Sequence, residues 1–264
     1  MNDLANQTAG DIILETRDLT KHYGGVHALQ GANFALKRGE HVAIMGDNGA
    51  GKSTFVRQIT GVEKPTRGEI VFDGKPRQFD GPLDAREAGI ETVFQTLALA
   101  DELNVPDNLF LGREKVLFNL GPFSILDYKG MREATMAALV KTGVKIPNIK
   151  NTIRNMSGGQ RQCVAIARTA TFHSKLTIMD EPTAALGVQE TAQVENIVRT
   201  LKEQGEPLIL ISHNMRQVFD LVDRIVVFRR GRIVANLAKS ETDPQDVVAY
   251  ITGAKTGADY ADAA

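Results

Sequence analysis

Apolar and polar positions alternate in IILETRDLTKHY and ALQGANFAL near the start of the chain, which predicts two strands, each with one buried face. HVAIMG, His41 to Gly46, is a short apolar run closed by glycine, and a helix is predicted from about Lys52 to Thr60. GEIVFDGKPRQF reads as a hairpin turning at Asp73-Gly74, and GIETVF reads as a further apolar strand ending at Gln95. From Thr96 to about Asn155 the period becomes helical, most clearly in MREATMAALVKTG, with breaks at Pro106, Gly121 and Pro122. A mostly helical insertion is expected there. Beyond it come a helix near 158–172, the strand LTIMD, a helix over 188–204, the strand PLILIS and a helix over 214–222. A hairpin, RIVVFRRGRIVANL, and a short helix, DPQDVVAYITG, follow. Strands alternating with helices predict an α/β fold with a mainly parallel sheet flanked by helices. The early alternating strands add a smaller antiparallel β layer.

Composition narrows the class. With 264 residues, 42% hydrophobic and 24% charged, the chain can bury a substantial core as an ordinary soluble protein. A formal net charge of -1 offers no bulk field to nucleic acid, so no nucleic-acid partner is expected. No apolar run is long enough to cross a bilayer, and MNDLANQTAGD lacks the basic and apolar regions of a signal peptide. Any membrane association is therefore expected through a partner. The single cysteine, Cys163, lies on an apparently buried helix face and reads as a small core hydrophobe. Residues 1–11 and 254–264 are small and polar and are expected to be mobile.

The chemistry concentrates in four places. GDNGAGKST fits G-x-x-x-x-G-K-[ST], with Gly46, Gly51, Lys52 and Ser53 at the required spacing. Asp47, Asn48, Gly49 and Ala50 complete a loop whose backbone amides can turn toward a phosphate chain, aided by the positive end of the next helix. Lys52 would reach the β- and γ-phosphates, Ser53 would supply a hydroxyl to Mg²⁺, and Thr54 is placed for the α-phosphate. These residues predict binding of a nucleoside triphosphate. The apolar strand before Asp180 and Glu181 suggests Asp180 as support for Mg²⁺ and Glu181 as general base; the plainer reading is that both cap the following helix. Ser212 and His213 end another apolar strand, where ligands gather in doubly wound sheets, and His213 is a candidate for the γ-phosphate. Gln95, at a further strand end, could touch Mg²⁺ or the attacking water. His22, His27, His41 and His173 lack metal-ligand spacing, and FRRGR, Phe228 to Arg232, reads as a solvated basic turn.

Together with MSGGQ at Met156–Gln160, these pieces resemble the ATP-binding-cassette family over about residues 12–253, in the same order and with similar spacing. The resemblance implies the ATPase fold of that family, a P-loop type sheet with a helical subdomain at about 96–172, and the cofactors ATP and Mg²⁺. It assigns Tyr23 to stacking on adenine, and it implies that Ser157, Gly158, Gly159 and Gln160 of one chain meet the nucleotide held by another. GDNGAGKST, EAGIETVFQTLALADELNVPDNLFLGRE and DEPTAALGVQET are most similar to ATPase subunits of simple-sugar importers. Implied partners are a second copy of the chain, integral-membrane permease subunits and, indirectly, a periplasmic sugar-binding protein. The implied location is the cytoplasmic face of the inner membrane, peripherally attached. Gly187 stands where many cassettes carry aspartate. A cassette for another small polar solute, or a non-transport ATPase of the same family, is the alternative.

Overall fold

In a computed structural model, residues 11–118, 124–172 and 174–256 are described. His173, Gly121 and Pro122 lie outside them, as do most of the two termini expected to be mobile. In chain order the elements are β1 (Ile12–Tyr23), β2 (Val26–Lys37), β3 (His41–Met45), α1 (Lys52–Ile59), β4 (Arg67–Phe72), β5 (Lys75–Arg77), α2 (Pro82–Ala88) and β6 (Ile90–Val93). Then come α3 (Val105–Phe110), β7 (Val116–Phe118), β8 (Ile125–Leu126), α4 (Tyr128–Thr142), α5 (Gly158–Thr171) and β9 (Leu176–Asp180). The series closes with α6 (Val188–Glu203), β10 (Leu208–Ile211), α7 (Met215–Leu221), β11 (Arg224–Arg229), β12 (Arg232–Ala238) and α8 (Pro244–Thr252).

Two sheets form as the periodicity predicts. One is a six-stranded sheet in the order β12-β11-β3-β10-β9-β6. β3 pairs in parallel with β10 and β11, β10 in parallel with β9, and β12 closes one edge antiparallel to β11. Every residue of β3 and β10 is buried, which is why these strands read as unbroken apolar runs. The second sheet, β2-β1-β4-β5, is antiparallel, and its alternating sequences bury one face. Asp73 and Gly74 adopt positive φ values of 53° and 71° and make the predicted two-residue turn between β4 and β5. The inner faces of both sheets share one apolar cluster with α1, in which Phe55 meets Phe34 and Phe228 at centroid distances of 5.4 Å each.

The chain divides into two compact units. The first runs to Thr92, resumes over Lys175–Glu181 and takes in everything from Lys202. The second comprises Val93–Ser174 and Pro182–Leu201, wider than the expected 96–172, because the start of α6 packs on α5. Gln193 Oε1 lies 4.0 Å from the buried Cys163 Sγ, and Glu190 lies against Gly159. This unit has its own apolar cluster of Val105, Leu109, Phe110, Met131, Ala138, Ile153, Met156 and Val164. It is less uniformly helical than expected, since β7 and β8 form a short antiparallel ribbon. The described start of the tail is tied down: Lys255 pairs with Asp246 at 2.6 Å and donates its N–H to Ala249.

His41, which lacks metal-ligand spacing in the sequence, is fully buried at the start of β3. Its Nε2 lies 3.0 Å from the carbonyl of Glu206, Asp223 accepts its backbone N–H, and Lys202 bridges to the same aspartate at 2.6 Å. Burial lowers its pKa to about 4 from an ordinary 6.5, with the Lys202 charge acting the same way and the carbonyls of Glu206 and Leu221 and the charge of Asp223 opposing. The unfolded chain thus takes up this proton more readily than the folded one. His41 therefore costs nothing above pH 6.5 and destabilises the fold as pH falls from there toward 4, by on the order of 1 kcal/mol per pH unit. Thermal melts between pH 7 and pH 4 should show a falling midpoint, and the fall should be shallower in His41→Leu, which has no proton to take up.

Candidate functional site

The loop Gly46–Gly51 joins the end of β3 to the start of α1, and backbone packing dictates its glycines. Gly46 has φ 147°, and a side chain there would run into the Phe228 carbonyl. Gly51, at φ 105°, would place a Cβ 2.9 Å from the Ala28 carbonyl and 3.1 Å from the Gly231 Cα. The turn between β11 and β12 braces the loop, because Gly231 donates its N–H to Ala50 O at 2.9 Å. Gly231 O in turn accepts the N–H of Gln30 at 2.8 Å. FRRGR is therefore only partly a solvated turn: Phe228 is fully buried and Gly231 is the loop's buttress.

No side chain caps α1 at Gly51. The amides of its first turn remain available, and Asn48, Gly49, Ala50, Gly51, Lys52, Ser53 and Thr54 line one side of a cavity of about 500 Å³. The Lys52 amine donates to the carbonyls of Gly46 at 2.7 Å and Asp47 at 2.9 Å, curled over the loop it is meant to serve. Burial lowers its pKa, against the opposing charges of Glu181, Asp180 and Asp47. Lysine and carboxylates thus share one electrostatic neighbourhood.

Asp180 ends β9, and burial raises its carboxyl pKa, with the charge of Glu181 adding to the effect. Glu181 takes a left-handed backbone, φ 51°, while its N–H donates to Ile211 O at the end of β10, 2.9 Å away. This departs from ordinary strand geometry and from a simple helix cap, and it aims the two neighbouring carboxylates differently. Glu181 Oε2 lies 2.8 Å from His213 Nδ1; the glutamate side chain is 17% exposed and the imidazole 78% exposed. Ser212 plays a scaffolding part: its hydroxyl donates to Gln217 Oε1 at 3.0 Å and accepts the Asn214 N–H at 3.1 Å. Asn214 then caps α7 by accepting from Gln217 N–H. The first compact unit therefore brings together Gly46–Thr54, Asp180, Glu181 and His213, with Tyr23 exposed at the end of β1.

The other predicted residues lie in the second unit. Gln95 is exposed in a bend two residues past the end of β6 at Val93, so the strand stops short of where its sequence suggested. Ser157 caps α5 through a reciprocal capping box: its Oγ accepts from Gln160 N–H at 3.2 Å, and Gln160 Oε1 accepts from Ser157 N–H at 3.0 Å. Gln160 is thus turned back on the cap, while Gly158 is exposed. Sequence reading missed Glu190, whose Cβ and Cγ occupy the space a side chain at Gly159 would need. Its carboxylate also reaches Gly187, where an added Cβ would meet Glu190 Oε2 at 2.5 Å. Nothing local in the sequence marks that contact. Among the described residues no group of three or more His, Cys, Asp or Glu is arranged as a metal site.

Comparison with known proteins bears on the family and the fold. A family model described as ABC transporter matches residues 29–184. The chain is 47% identical over 250 residues to the fructose import ATP-binding protein FrcA of Rhizobium meliloti, covering 94% of this chain and 96% of the relative. It is 42% identical over 248 residues to the xylose/arabinose import ATP-binding protein XylG of Sulfolobus acidocaldarius, covering 93% and 96%. Among solved structures, the ADP conformation of an ATP-binding cassette of an ABC transporter matches with TM-score 0.78 at 29% identity, covering 92% of this chain and 99% of that one.

The loop geometry yields a direct test. Gly46→Ala would impose a strained φ and a backbone clash, at a cost of about 1–3 kcal/mol from the strain alone. The melting midpoint should fall by about 5 °C or more, at about 2–4 °C per kcal/mol for a chain of this size. An unchanged midpoint in calorimetry would mean that the loop accommodates a side chain.

Proposed function

The chain belongs to the ABC transporter family, and from that premise we propose that it hydrolyses ATP to drive import of a simple sugar through a membrane permease. The observation that carries the catalytic part is the 2.8 Å contact between Glu181 and His213, in the unit that also carries the phosphate loop. Backbone amides from Gly46 to Gly51 and the uncapped start of α1 cradle the phosphates, Lys52 swings from its loop carbonyls to the β- and γ-phosphates, and Thr54 meets the α-phosphate. Tyr23 stacks its ring on the adenine. Glu181 accepts the proton of the attacking water, and His213 holds that carboxylate in line through Nδ1 while its exposed ring meets the γ-phosphate.

Ser53 and Asp180 are the residues that would hold Mg²⁺. Asp180 fits this role, since burial and the adjacent Glu181 charge disfavour its ionised form and a divalent cation would restore it. When bound, the ion neutralises charge that builds up on the phosphates.

Support for a sugar as cargo comes from the fructose and xylose/arabinose import relatives at 47% and 42% identity. No helix among the described residues is long and apolar enough to cross a membrane, so the proposed site of action, beneath a permease at the cytoplasmic face, depends on a membrane partner. Ser157, Gly158 and Gly159 of a second copy complete each ATP site, so that ATP binding draws two chains together and product release parts them.

Two experiments test this reading. Glu181→Gln should keep ATP binding while phosphate release falls at least about 100-fold, and Lys52→Ala should lose binding in a nucleotide titration. Normal turnover in Glu181→Gln would remove its role as base. For the paired site, Lys52→Ala and Ser157→Arg should each be inactive alone. Mixed, they should recover part of the wild-type rate, because a heterodimer keeps one site with both parts intact. No recovery on mixing, with dimers demonstrated, would count against the shared site.

A further inference from the structure

The ring assigned to adenine hangs on a weakly held piece of backbone. Tyr23 pairs with Val26 across a two-residue Gly24-Gly25 turn, the side chain is 42% exposed, and Gly24 needs φ 57°. Glycines at a hairpin tip permit many conformations, so the turn does little to hold the ring in one pose. Two distant residues restrain it: Glu63, and Thr54 of α1, whose hydroxyl also hydrogen-bonds the phenol oxygen. The Tyr23 hydroxyl donates to Glu63 Oε2, in the segment that follows α1. The other oxygen of that carboxylate, Oε1, accepts from Arg57 Nη1 at 3.3 Å, and Arg57 projects from α1 itself. Glu63 N–H also donates to Arg57 O at 3.0 Å, which fixes the glutamate to the end of the helix. Lys21 adds a cation 3.8 Å from Glu63 Oε2 and 5.4 Å from the Tyr23 ring centroid. Partial burial and the bond to Glu63 hold the phenol above its ordinary pKa, so it remains a donor at neutral pH.

We propose that Glu63 is a positioning residue for nucleotide binding: its carboxylate ties the Tyr23 ring to the helix that begins at the phosphate loop, and so sets where the base platform stands relative to the phosphates. This rests on the reading of Tyr23 as the adenine platform. The phosphate cradle and the base platform lie on different elements, α1 and the β1–β2 hairpin. A ligand that bridges them gains most when their separation is set before it arrives, because no ordering entropy is then lost on binding. Among the described residues the Glu63 carboxylate bonds or pairs with Tyr23, Lys21 and Arg57, at the platform end and on the helix, so its effect belongs to ligands that carry a base.

The test compares ATP with inorganic tripolyphosphate by titration calorimetry on the full chain. Glu63→Ala should weaken ATP about five- to tenfold and leave tripolyphosphate unchanged. Tyr23→Phe keeps the ring and loses the tether, so it should match Glu63→Ala, and the double variant should be no weaker than either single one. An equal loss for tripolyphosphate would show that Glu63 supports the phosphate loop instead, and unchanged ATP affinity or additive losses would also overturn the proposal. Tyr23→Ala separates the two layers. If it leaves ATP affinity intact, the adenine platform itself is refuted; if it weakens ATP while Glu63→Ala does not, the tether alone is refuted.

Discussion

The phosphate loop depends on Phe55, a fully buried ring wedged between two sheets. It packs against Phe34 of the antiparallel layer and Phe228 of the parallel one. Truncating such a ring costs about 3–5 kcal/mol in well-packed cores. Here the same contact also fixes α1, and α1 fixes everything that begins at its N-terminus. Gly46 can lie against the Phe228 carbonyl, and Gly51 against Ala28 and Gly231, only because the helix is seated at that depth. Loop conformation is thus set from beneath by core packing, and the available amides follow from it.

Upon that base the parallel sheet delivers chemistry at its strand ends. β3, β9 and β10 run side by side, so the groups that follow them, Lys52, Asp180, Glu181 and His213, emerge at one edge. Burial displaces the two in opposite directions, disfavouring both the charged lysine and the charged aspartate, and the attraction between Lys52 and the carboxylates offsets part of each shift. Glu181 adds backbone strain, its left-handed conformation held by a hydrogen bond to Ile211. Strained residues of this kind persist only where surrounding structure imposes them.

The two helix starts of interest differ in how their amides are used. α1 has no side-chain cap, and its first turn lines a cavity. α5 is closed by Ser157 and Gln160, which satisfy one another's backbone, leaving glycine amides beside the cap. The first start leaves its amides open to the cavity. The second is a stiffened corner, with Gly159 kept small by the Glu190 side chain lying on it.

Much was legible in the sequence because the signals are local. The apolar runs of β3, β9 and β10, the Asp73-Gly74 turn and the phosphate loop each depend on residues within a few positions of one another. Chain periodicity and steric rules constrain such segments directly. Contacts between residues far apart in the chain were not legible. The brace of Gly231 on Ala50, the buried setting of His41 beside Asp223, the reach of Glu190 to Gly159 and the tether from Glu63 to Tyr23 join positions about 30 to 180 residues apart. No periodicity links such partners, since their pairing is a consequence of how sheets and helices stack. The sequence by itself determined the fold class and the local motifs from which the reacting groups are proposed. Only the tertiary structure decided which backbone braces the loop, which residues hold the Glu181 carboxylate and the Tyr23 ring, and how far the second unit extends, because each of those is settled by packing between distant segments.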